Sequence, residues 1–293
     1  DIGFLYGVTL YESLRTFKHK WFLPEEHWLR LRRSLGYAGI GDLFTRQDYY
    51  KVLDKIIKAN IHLTDKDDDV WANIQVTPGK TFPMPLLGQT DKTPTVIAYT
   101  CAMPHREYAR YYTEGKHVVT SLFRMPPPQC YEQRMKNRSR FPHFLSKRDA
   151  NRIDKGSFAL MLDTDGFIAE GTGANVFFVM DGKLYTPKSR NILVGISRQY
   201  VIQLAKKLKM QVFEDDLTLY EAYNAEEAFW TTSSYCILPI AMIDGRKIGT
   251  SYPGPAAKRL LSAWSRAVGL DIIGQARKFC GNHGKERKWI KSR

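Results

Sequence analysis

Three consecutive prolines near the middle of the chain, in Met125-Pro126-Pro127-Pro128, constrain the fold more than any other feature of the sequence. Because proline lacks a backbone N–H and fixes φ, such a run continues neither a helix nor a central strand. At 293 residues, the chain is also longer than one ordinary core requires. We therefore predict a small first domain over 1–124, a linker over 125–131, a larger second domain over 132–273 and a basic tail over 274–293. Because the chain begins at Asp1, in what the sequence pattern indicates is the middle of a secondary-structure element, we expect an N-terminal piece to be missing.

Hydrophobic periodicity predicts helices and strands in both domains, so the expected fold class is α+β. In the first domain it indicates strands over 8–17, 21–23, 70–77 and 95–100, and helices from Pro24 and over 49–59. In the second it indicates strands over 159–162, 175–180, 183–185, 228–232 and 237–243, and helices from Gly195 and over 256–268.

Composition excludes several classes of protein. An apolar share of 43% and a charged share of 25% are typical of a globular chain, not of a disordered or collagen-like one. The net charge of +14 favours anionic ligands and leaves an RNA- or membrane-surface-binding protein open as an alternative. The four cysteines are far apart and form no CxxC pair, so we expect free thiols in a reducing cytoplasm and no metal site.

Two segments are candidates for binding a phosphate group. Gly195-Ile196-Ser197-Arg198 opens a predicted helix, whose free N–H groups and positive dipole end suit an anion. The alternative interpretation is an ordinary helix cap. The second segment, Thr231-Thr232-Ser233-Ser234, places hydroxyl groups directly after an apolar strand, and it is equally consistent with a polar loop.

Two further segments carry a candidate acid and a candidate amine. Glu170 precedes Gly171-Thr172-Gly173, small residues that allow a ligand to approach the backbone, although a glycine-rich turn with a solvated glutamate has the same pattern. Lys136 lies in the cationic segment Met135-Lys136-Asn137-Arg138-Ser139-Arg140. Most such segments are solvated or bind nucleic acid, but a lysine with a lowered pKa forms Schiff bases.

The order and spacing of these features resemble the class IV aminotransferases, which are the fold-type IV pyridoxal-phosphate enzymes. The resemblance covers about residues 3–255, with Lys136 standing 34 positions before Glu170. It rests on the segments GVTLYESLR (7–15), EHWLRL (26–31), EGTGAN (170–175), LYTP (184–187), LVGISR (193–198) and AFWTTSS (228–234). It implies a two-domain fold, with a small N-terminal α/β domain and a larger C-terminal, mixed α/β-barrel-like domain.

The resemblance also implies the site residues. Lys136 would form the Schiff base with pyridoxal 5′-phosphate and move the proton at the substrate's Cα, and Glu170 would keep the pyridine nitrogen protonated. The other residues that it implies are Arg30, Ile196, Ser197 and Ser233 for the phosphate, and Tyr11, Arg15 and Ser234 for the substrate. It further implies a cytoplasmic homodimer acting on small molecules, without nucleic-acid or membrane partners.

Two positions depart from the family pattern. Branched-chain enzymes carry a tyrosine five positions after the lysine, where this chain has Phe141, so Arg138 or Arg140 would have to supply that hydrogen bond. D-amino-acid enzymes carry a carboxylate-binding arginine where this chain has Pro78. We therefore expect ping-pong transamination of a branched-chain-type L-amino acid with a 2-oxo acid. The alternatives are D-amino-acid or R-amine transfer, the aminodeoxychorismate lyase reaction and, more remotely, a basic RNA-binding protein.

Overall fold

The computed structural model describes residues 1–80 and 93–281. These residues form two compact units, the first made of 1–80, 93–103 and 135–140, and the second of 104–134 and 141–281. The second unit therefore includes residues 104–124, which lie before the predicted linker. The first unit includes residues 135–140, which the sequence analysis assigned to the second domain.

The first unit pairs a small antiparallel sheet with helices. Within the described residues its helices are α1 (Ile2–Tyr6), α2 (Pro24–Tyr37) and α3 (Arg46–Asn60), with short 3₁₀ turns at Gly41–Leu43 and Ile61–Leu63. Its strands are β1 (Leu10–Phe17), β2 (Lys20–Trp21), β3 (Val70–Thr77) and β4 (Thr95–Ala102), in the spatial order β2-β1-β3-β4. The predicted span 70–77 is confirmed for β3.

Alternation along β1 separates the core of the first unit from its polar face. Leu10 and Leu14 are buried in one apolar cluster with Leu31 and Leu35 of α2 and Leu53 of α3. The odd-numbered residues of β1 point to the opposite face of the sheet, because successive strand side chains alternate. The sheet therefore packs one face against the helices and presents the side chains of Tyr11, Ser13 and Arg15 on the other.

The lysine segment, Met135–Arg140, joins the first unit as an additional partner of β1. The Tyr11 N–H donates to the Lys136 carbonyl over 3.1 Å, and the Arg138 N–H donates to the Thr9 carbonyl over 2.9 Å. An antiparallel bridge pairs Leu10 with Asn137 between them. These backbone hydrogen bonds are the physical reason why the segment belongs to the first unit.

The second unit is built on one large mixed sheet. Within the described residues its order is β10-β9-β8-β11-β12-β5-β6-β7, with β13 paired to β12. The strands are β5 (Lys116–Thr120), β6 (Phe158–Leu162), β7 (Ile168–Gly171), β8 (Asn175–Met180), β9 (Lys183–Pro187), β10 (Val212–Asp215), β11 (Glu227–Thr232), β12 (Cys236–Ile243) and β13 (Arg246–Lys247). The helices are α4 (His105–Tyr108), α5 (Tyr111–Glu114), α6 (Phe141–Ile153), α7 (Ile196–Lys207), α8 (Leu219–Asn224), α9 (Pro255–Val268) and α10 (Ile272–Phe279).

The sheet of the second unit curls back at β7. The Gly171 N–H donates to the Ala174 carbonyl over 2.8 Å, and the Ile168 N–H donates to the Leu217 carbonyl over 2.7 Å. Asn175, the first residue of β8, pairs with Thr231 near the end of β11. The end of β7, the start of β8 and the end of β11 are therefore neighbours.

The beginning of the predicted tail is helical. Helix α10 starts after Asp271, whose side chain caps it, and it buries Ile272, Ala276 and Phe279. These three residues recur at helical spacing and supply an apolar face, which explains why this part of the tail packs. The remainder of the predicted tail, 282–293, lies outside the described residues. No helix in the described part of the chain combines the length and apolar character needed to cross a membrane.

Candidate active site

Lys136 lies half-buried in the first unit, beside the phenol ring of Tyr11. Its Nζ is 4.5 Å from the centroid of that ring, and its backbone N–H donates to Ser34 Oγ over 3.2 Å. Burial lowers the pKa of the amine, and the positive charge of Arg30 adds to this effect. A lowered pKa increases the unprotonated, nucleophilic fraction of the amine at neutral pH.

Tyr11 is surrounded by the cations of the lysine segment. The Cζ of Arg138 is 3.7 Å from the ring centroid, and Arg140 Nη1 donates to the phenol oxygen over 3.4 Å. Burial alone would raise the pKa of the Tyr11 hydroxyl, but the nearby cations, Lys136 foremost, outweigh burial and lower it to about 8. The phenol is therefore a stronger acid than an ordinary tyrosine.

A buried carboxylate anchors Arg30 within the first unit. Glu12 is fully buried and accepts hydrogen bonds from Arg30 Nε and Nη2, each over 2.7 Å, and from His27 Nδ1 over 2.6 Å. Burial alone would raise the pKa of Glu12, but Arg30 and His27 lower it to about 2. Burial lowers the pKa of His27 more than the Glu12 carboxylate raises it, so the ring is neutral at neutral pH. The result is a fixed guanidinium on the helix that carries Ser34.

Arg15 shares the sheet face of Tyr11, as strand alternation predicts, but its guanidinium is buried among other groups. Nη2 lies 3.7 Å from Asp69 Oδ2, Nε donates to the Thr16 carbonyl over 3.0 Å, and Cζ is 4.0 Å from the ring centroid of Phe17. The structure thus gives Arg15 partners of its own within the sheet, and its predicted contact with substrate stays a prediction.

Glu170 is a buried carboxylate in the second unit, held by neutral donors. Its Oε2 accepts from Asn175 Nδ2 over 2.8 Å and from the Leu193 N–H over 3.0 Å. The same Asn175 amide donates to the Leu193 carbonyl over 2.9 Å, so the loop before α7 is tied to both residues. These hydrogen bonds fix the orientation of the carboxylate before any ligand binds.

The N-terminus of α7 begins directly after this loop. Gly195 is its cap residue and provides no side-chain cap, while Ser197 in the first turn is buried. A Cβ on Gly195 would overlap Asn175 Oδ1, so only glycine lets the helix start so close to the asparagine. The first-turn N–H groups of Ile196 and Ser197 are the orphan donors expected at a helix start, and they suit an anion.

The predicted hydroxyl run forms the turn between β11 and β12. Thr231 Oγ1 donates to the Cys236 carbonyl over 2.7 Å, and the Thr232 and Ser234 hydroxyls are 3.0 Å apart. Because Thr231 pairs with Asn175 across the sheet, this turn lies at the same sheet end as Glu170. Ser233 is the first residue of the turn, and its role at a phosphate stays a prediction.

The structure brings the predicted site residues together in two groups. Lys136, Tyr11 and Arg30 are neighbours in the first unit, while the second unit gathers Glu170, Ile196, Ser197, Ser233 and Ser234 at one end of its sheet. The anchoring of Arg30 by Glu12 and the pairing of Asn175 with Glu170 were not predicted from the sequence. The sequence did contain a signal for the Glu12 site: its two partners, His27 and Arg30, stand three positions apart and therefore lie on one face of α2, as does Ser34.

The family of the chain follows from comparison with known proteins. The family model Amino-transferase class IV matches residues 9–243, a range that includes both groups of site residues. The chain belongs to the class IV aminotransferases, and it is an enzyme that transfers amino groups.

Individual relatives are similar along most of their length. The chain is 31% identical over 261 residues to a Methanocaldococcus jannaschii protein named "Putative branched-chain-amino-acid aminotransferase", covering 89% of this chain and 87% of that protein. It is 28% identical to the D-alanine aminotransferase of Bacillus licheniformis, covering 92% and 90%. Among solved structures, the branched-chain amino acid aminotransferase of Thermobaculum terrenum in its PLP-form aligns with a TM-score of 0.79 at 25% identity, covering 96% and 90%.

Proposed function

We propose that this enzyme uses pyridoxal 5′-phosphate to exchange amino groups between a branched-chain-type L-amino acid and a 2-oxo acid in a ping-pong cycle. The observation that carries the proposal is the half-buried Lys136 amine, whose pKa is lowered and whose Nζ lies 4.5 Å from the Tyr11 ring centroid. A lysine of this kind is the group that imine exchange requires.

The donor sets present in the two units fit the chemistry of this cofactor. A phosphate dianion requires N–H and hydroxyl donors, and the start of α7 in the second unit provides both. It also requires positive charge, and the first unit carries the anchored guanidinium of Arg30. A pyridine nitrogen requires a carboxylate to keep it protonated, and Glu170 is a buried carboxylate with two neutral donors already in place. When bound, the cofactor supplies the electron sink that stabilises negative charge at the substrate's Cα.

Within this scheme each residue has a defined task. Lys136 supplies the amine that holds the cofactor and afterwards carries the proton to and from the substrate's Cα. The ring of Tyr11 lies beside the same amine, with its centroid 4.5 Å from Nζ, and its hydroxyl, with a pKa of about 8, is a stronger acid than an ordinary phenol. Glu12 fixes Arg30, and Asn175 fixes Glu170 through hydrogen bonds that exist before any ligand binds.

The substrate class is supported by the named relatives and by one position of this chain. The Methanocaldococcus jannaschii and Thermobaculum terrenum proteins are named for branched-chain amino acids. The Bacillus licheniformis relative is named for D-alanine, yet this chain has Pro78 at the position where the D-amino-acid enzymes carry their carboxylate-binding arginine. These observations favour a branched-chain L-amino acid as donor.

The visible spectrum of the enzyme incubated with pyridoxal phosphate tests the proposal. We expect a yellow band that L-leucine bleaches and a 2-oxo acid restores, with D-alanine and an R-configured amine much slower. Lys136→Ala is expected to abolish the cycle. A protein that takes up no pyridoxal phosphate, or whose band no amino acid bleaches, would refute the proposed function. Faster bleaching by D-alanine would refute the substrate class alone, and pyruvate release from aminodeoxychorismate would favour the lyase.

We further propose that the enzyme is a cytoplasmic homodimer. Support comes from exposed apolar side chains in the second unit, where Phe141 and Phe144 are 68% and 55% exposed and stack with ring centroids 6.4 Å apart. Leu122 is also exposed, at 74%. Clusters of exposed apolar side chains mark protein–protein contacts. Light scattering is expected to give twice the chain mass for the wild type and the single chain mass after Phe141→Glu; a monomeric wild type contradicts the proposal.

A further inference from the structure

The guanidinium of Arg138 is held by uncharged groups. Its Nη2 donates to Asn73 Oδ1 over 2.7 Å, and its Nε donates to Gln75 Oε1 over 3.2 Å. Both acceptors are neutral amides, and no ion pair of Arg138 occurs within residues 1–80 and 93–281. The hydrogen bonds therefore fix the side chain while its positive charge remains available to an anion.

Asn73 and Gln75 are themselves held in register with β1. They stand two positions apart on β3, so their side chains share one face of the sheet. Gln75 pairs with Tyr11 and Asn73 with Ser13, and Asn73 Nδ2 donates to Ser13 Oγ over 2.8 Å. That bond turns the Asn73 oxygen toward the guanidinium. The cation is thus preorganised, which reduces the entropy lost when a ligand binds to it.

This cation and the reactive amine share one aromatic ring. Arg138 Cζ lies 3.7 Å, and Lys136 Nζ 4.5 Å, from the centroid of the Tyr11 ring. An amino acid carries its carboxylate and its amino group on the same carbon atom. A substrate whose amino group takes the place of the Lys136 amine on the cofactor would therefore carry its carboxylate close to Nζ, in the neighbourhood of Arg138.

We propose that Arg138 binds the carboxylate of the amino donor and of the 2-oxo acid. The inference rests on the proposed function, since it concerns the substrates of that reaction. Nε–H and one Nη2–H are used by the two amides, which leaves the Nη1 hydrogens and the other Nη2 hydrogen for a two-point contact with a carboxylate. Arg138 thereby selects amino acids over amines that lack a carboxylate.

Binding of an unreactive ligand pair tests this role directly. 4-Methylpentanoate has the carboxylate and side chain of leucine without its amino group, and 4-methylpentanamide is its uncharged counterpart. Calorimetric titration of both is measured with and without pyridoxal phosphate. We expect Arg138→Gln to weaken binding of the carboxylate roughly 10- to 100-fold, the range of one or two charge-assisted hydrogen bonds, and to leave the amide unchanged. Arg33→Gln, an exposed arginine on α2, is the charge-matched control and is expected to change neither.

Kinetics supply the second readout. Arg138→Gln is expected to raise KM for L-leucine by a much larger factor than it changes KM for 3-methylbutylamine, which has no carboxylate to lose. Arg138→Lys keeps the charge without the planar fork, and it is expected to retain part of the carboxylate preference even if the glutamine variant does not fold. The proposal would be overturned if wild type and Arg138→Gln bound the carboxylate equally well. It would also be overturned if Arg138→Gln weakened binding of the carboxylate and of the amide by the same factor. If the wild type bound the carboxylate more tightly than the amide but did not catalyse transamination, the proposed function would be refuted and the carboxylate-binding site would remain supported.

Discussion

Replacing Glu12 with glutamine removes the charge that holds Arg30 while preserving the size of the side chain. The wild-type carboxylate accepts three hydrogen bonds, two from Arg30 and one from His27, and has no exposure to solvent. A glutamine has one acceptor oxygen and turns an NH₂ group toward donors. The variant therefore leaves a cation without its anion in a mostly buried position, which is among the more costly changes a core can undergo.

The expected magnitude follows from the pKa of Glu12. Lowering it from 4.5 to about 2 corresponds to about 3 kcal/mol of folding free energy at neutral pH, since each pKa unit is worth about 1.4 kcal/mol. Because the folded-state pKa is the lower one, this contribution is complete above the unfolded-state pKa and is lost as the pH falls through about 2. The difference between wild type and Glu12→Gln is thus expected to shrink to about half at pH 3.

Urea unfolding of the cofactor-free enzyme, followed by circular dichroism at pH 7 and pH 3, measures this difference. Glu25→Gln is the matched control because Glu25, near the start of α2, pairs with Arg46 and Tyr50 at the surface. Exposed pairs contribute little, so the control is expected to unfold close to wild type. Glu12→Gln is also expected to bind pyridoxal phosphate more weakly, since Arg30 loses its anchor. If Glu12→Gln and the wild type had the same urea concentration at their unfolding midpoints at pH 7, the reasoning would be refuted.

Substitutions in the other parts of the site give further expected outcomes. Gly195→Ala is expected to lower stability by about 1–3 kcal/mol, because the new methyl group overlaps Asn175. Gly173→Ala, where nothing lies within 4 Å of the added carbon, is its control in the same thermal melts, and equal melting of the two variants would contradict the packing. In ultraviolet titration of the cofactor-free enzyme, Tyr11 is expected to ionise near pH 8, a step absent from Tyr11→Phe. Lys136→Met is expected to move that ionisation upward, and an unchanged value would show that the amine does not act on the phenol.

Local sequence patterns correctly predicted the helices and strands in which the preference of the residues matches the conformation that the rest of the fold imposes. The strands over 70–77 and 175–180 have the predicted limits, because each is a run rich in β-branched and aromatic residues that ends at a proline or an aspartate. Helix α6 was not predicted, because the side chains that it buries include His143, Ser146 and Asp149, which give no apolar periodicity. Its formation depends on contacts that a window of sequence does not contain.

The two groups of site residues differ in how much of their arrangement could be predicted from the sequence. The loop from Glu170 to Asn175 and the start of α7 are local features, and both were recognised in the chain. The pairing of the lysine segment with β1 joins residues about 125 positions apart through backbone hydrogen bonds, which no side-chain pattern encodes. Pairing across such a separation is set by tertiary structure, so the placement of Arg138 over Tyr11 became visible only in the structure.

In the proposed reaction, the amine of Lys136 holds the cofactor. Borohydride treatment of the enzyme loaded with pyridoxal phosphate, followed by digestion and mass spectrometry, tests it most directly because reduction makes the bond to lysine permanent. We expect the phosphopyridoxyl group on the peptide that contains Lys136, and none on that peptide in Lys136→Ala. A label on another lysine, or none at all in enzyme that has bound the cofactor, would contradict the assignment of Lys136.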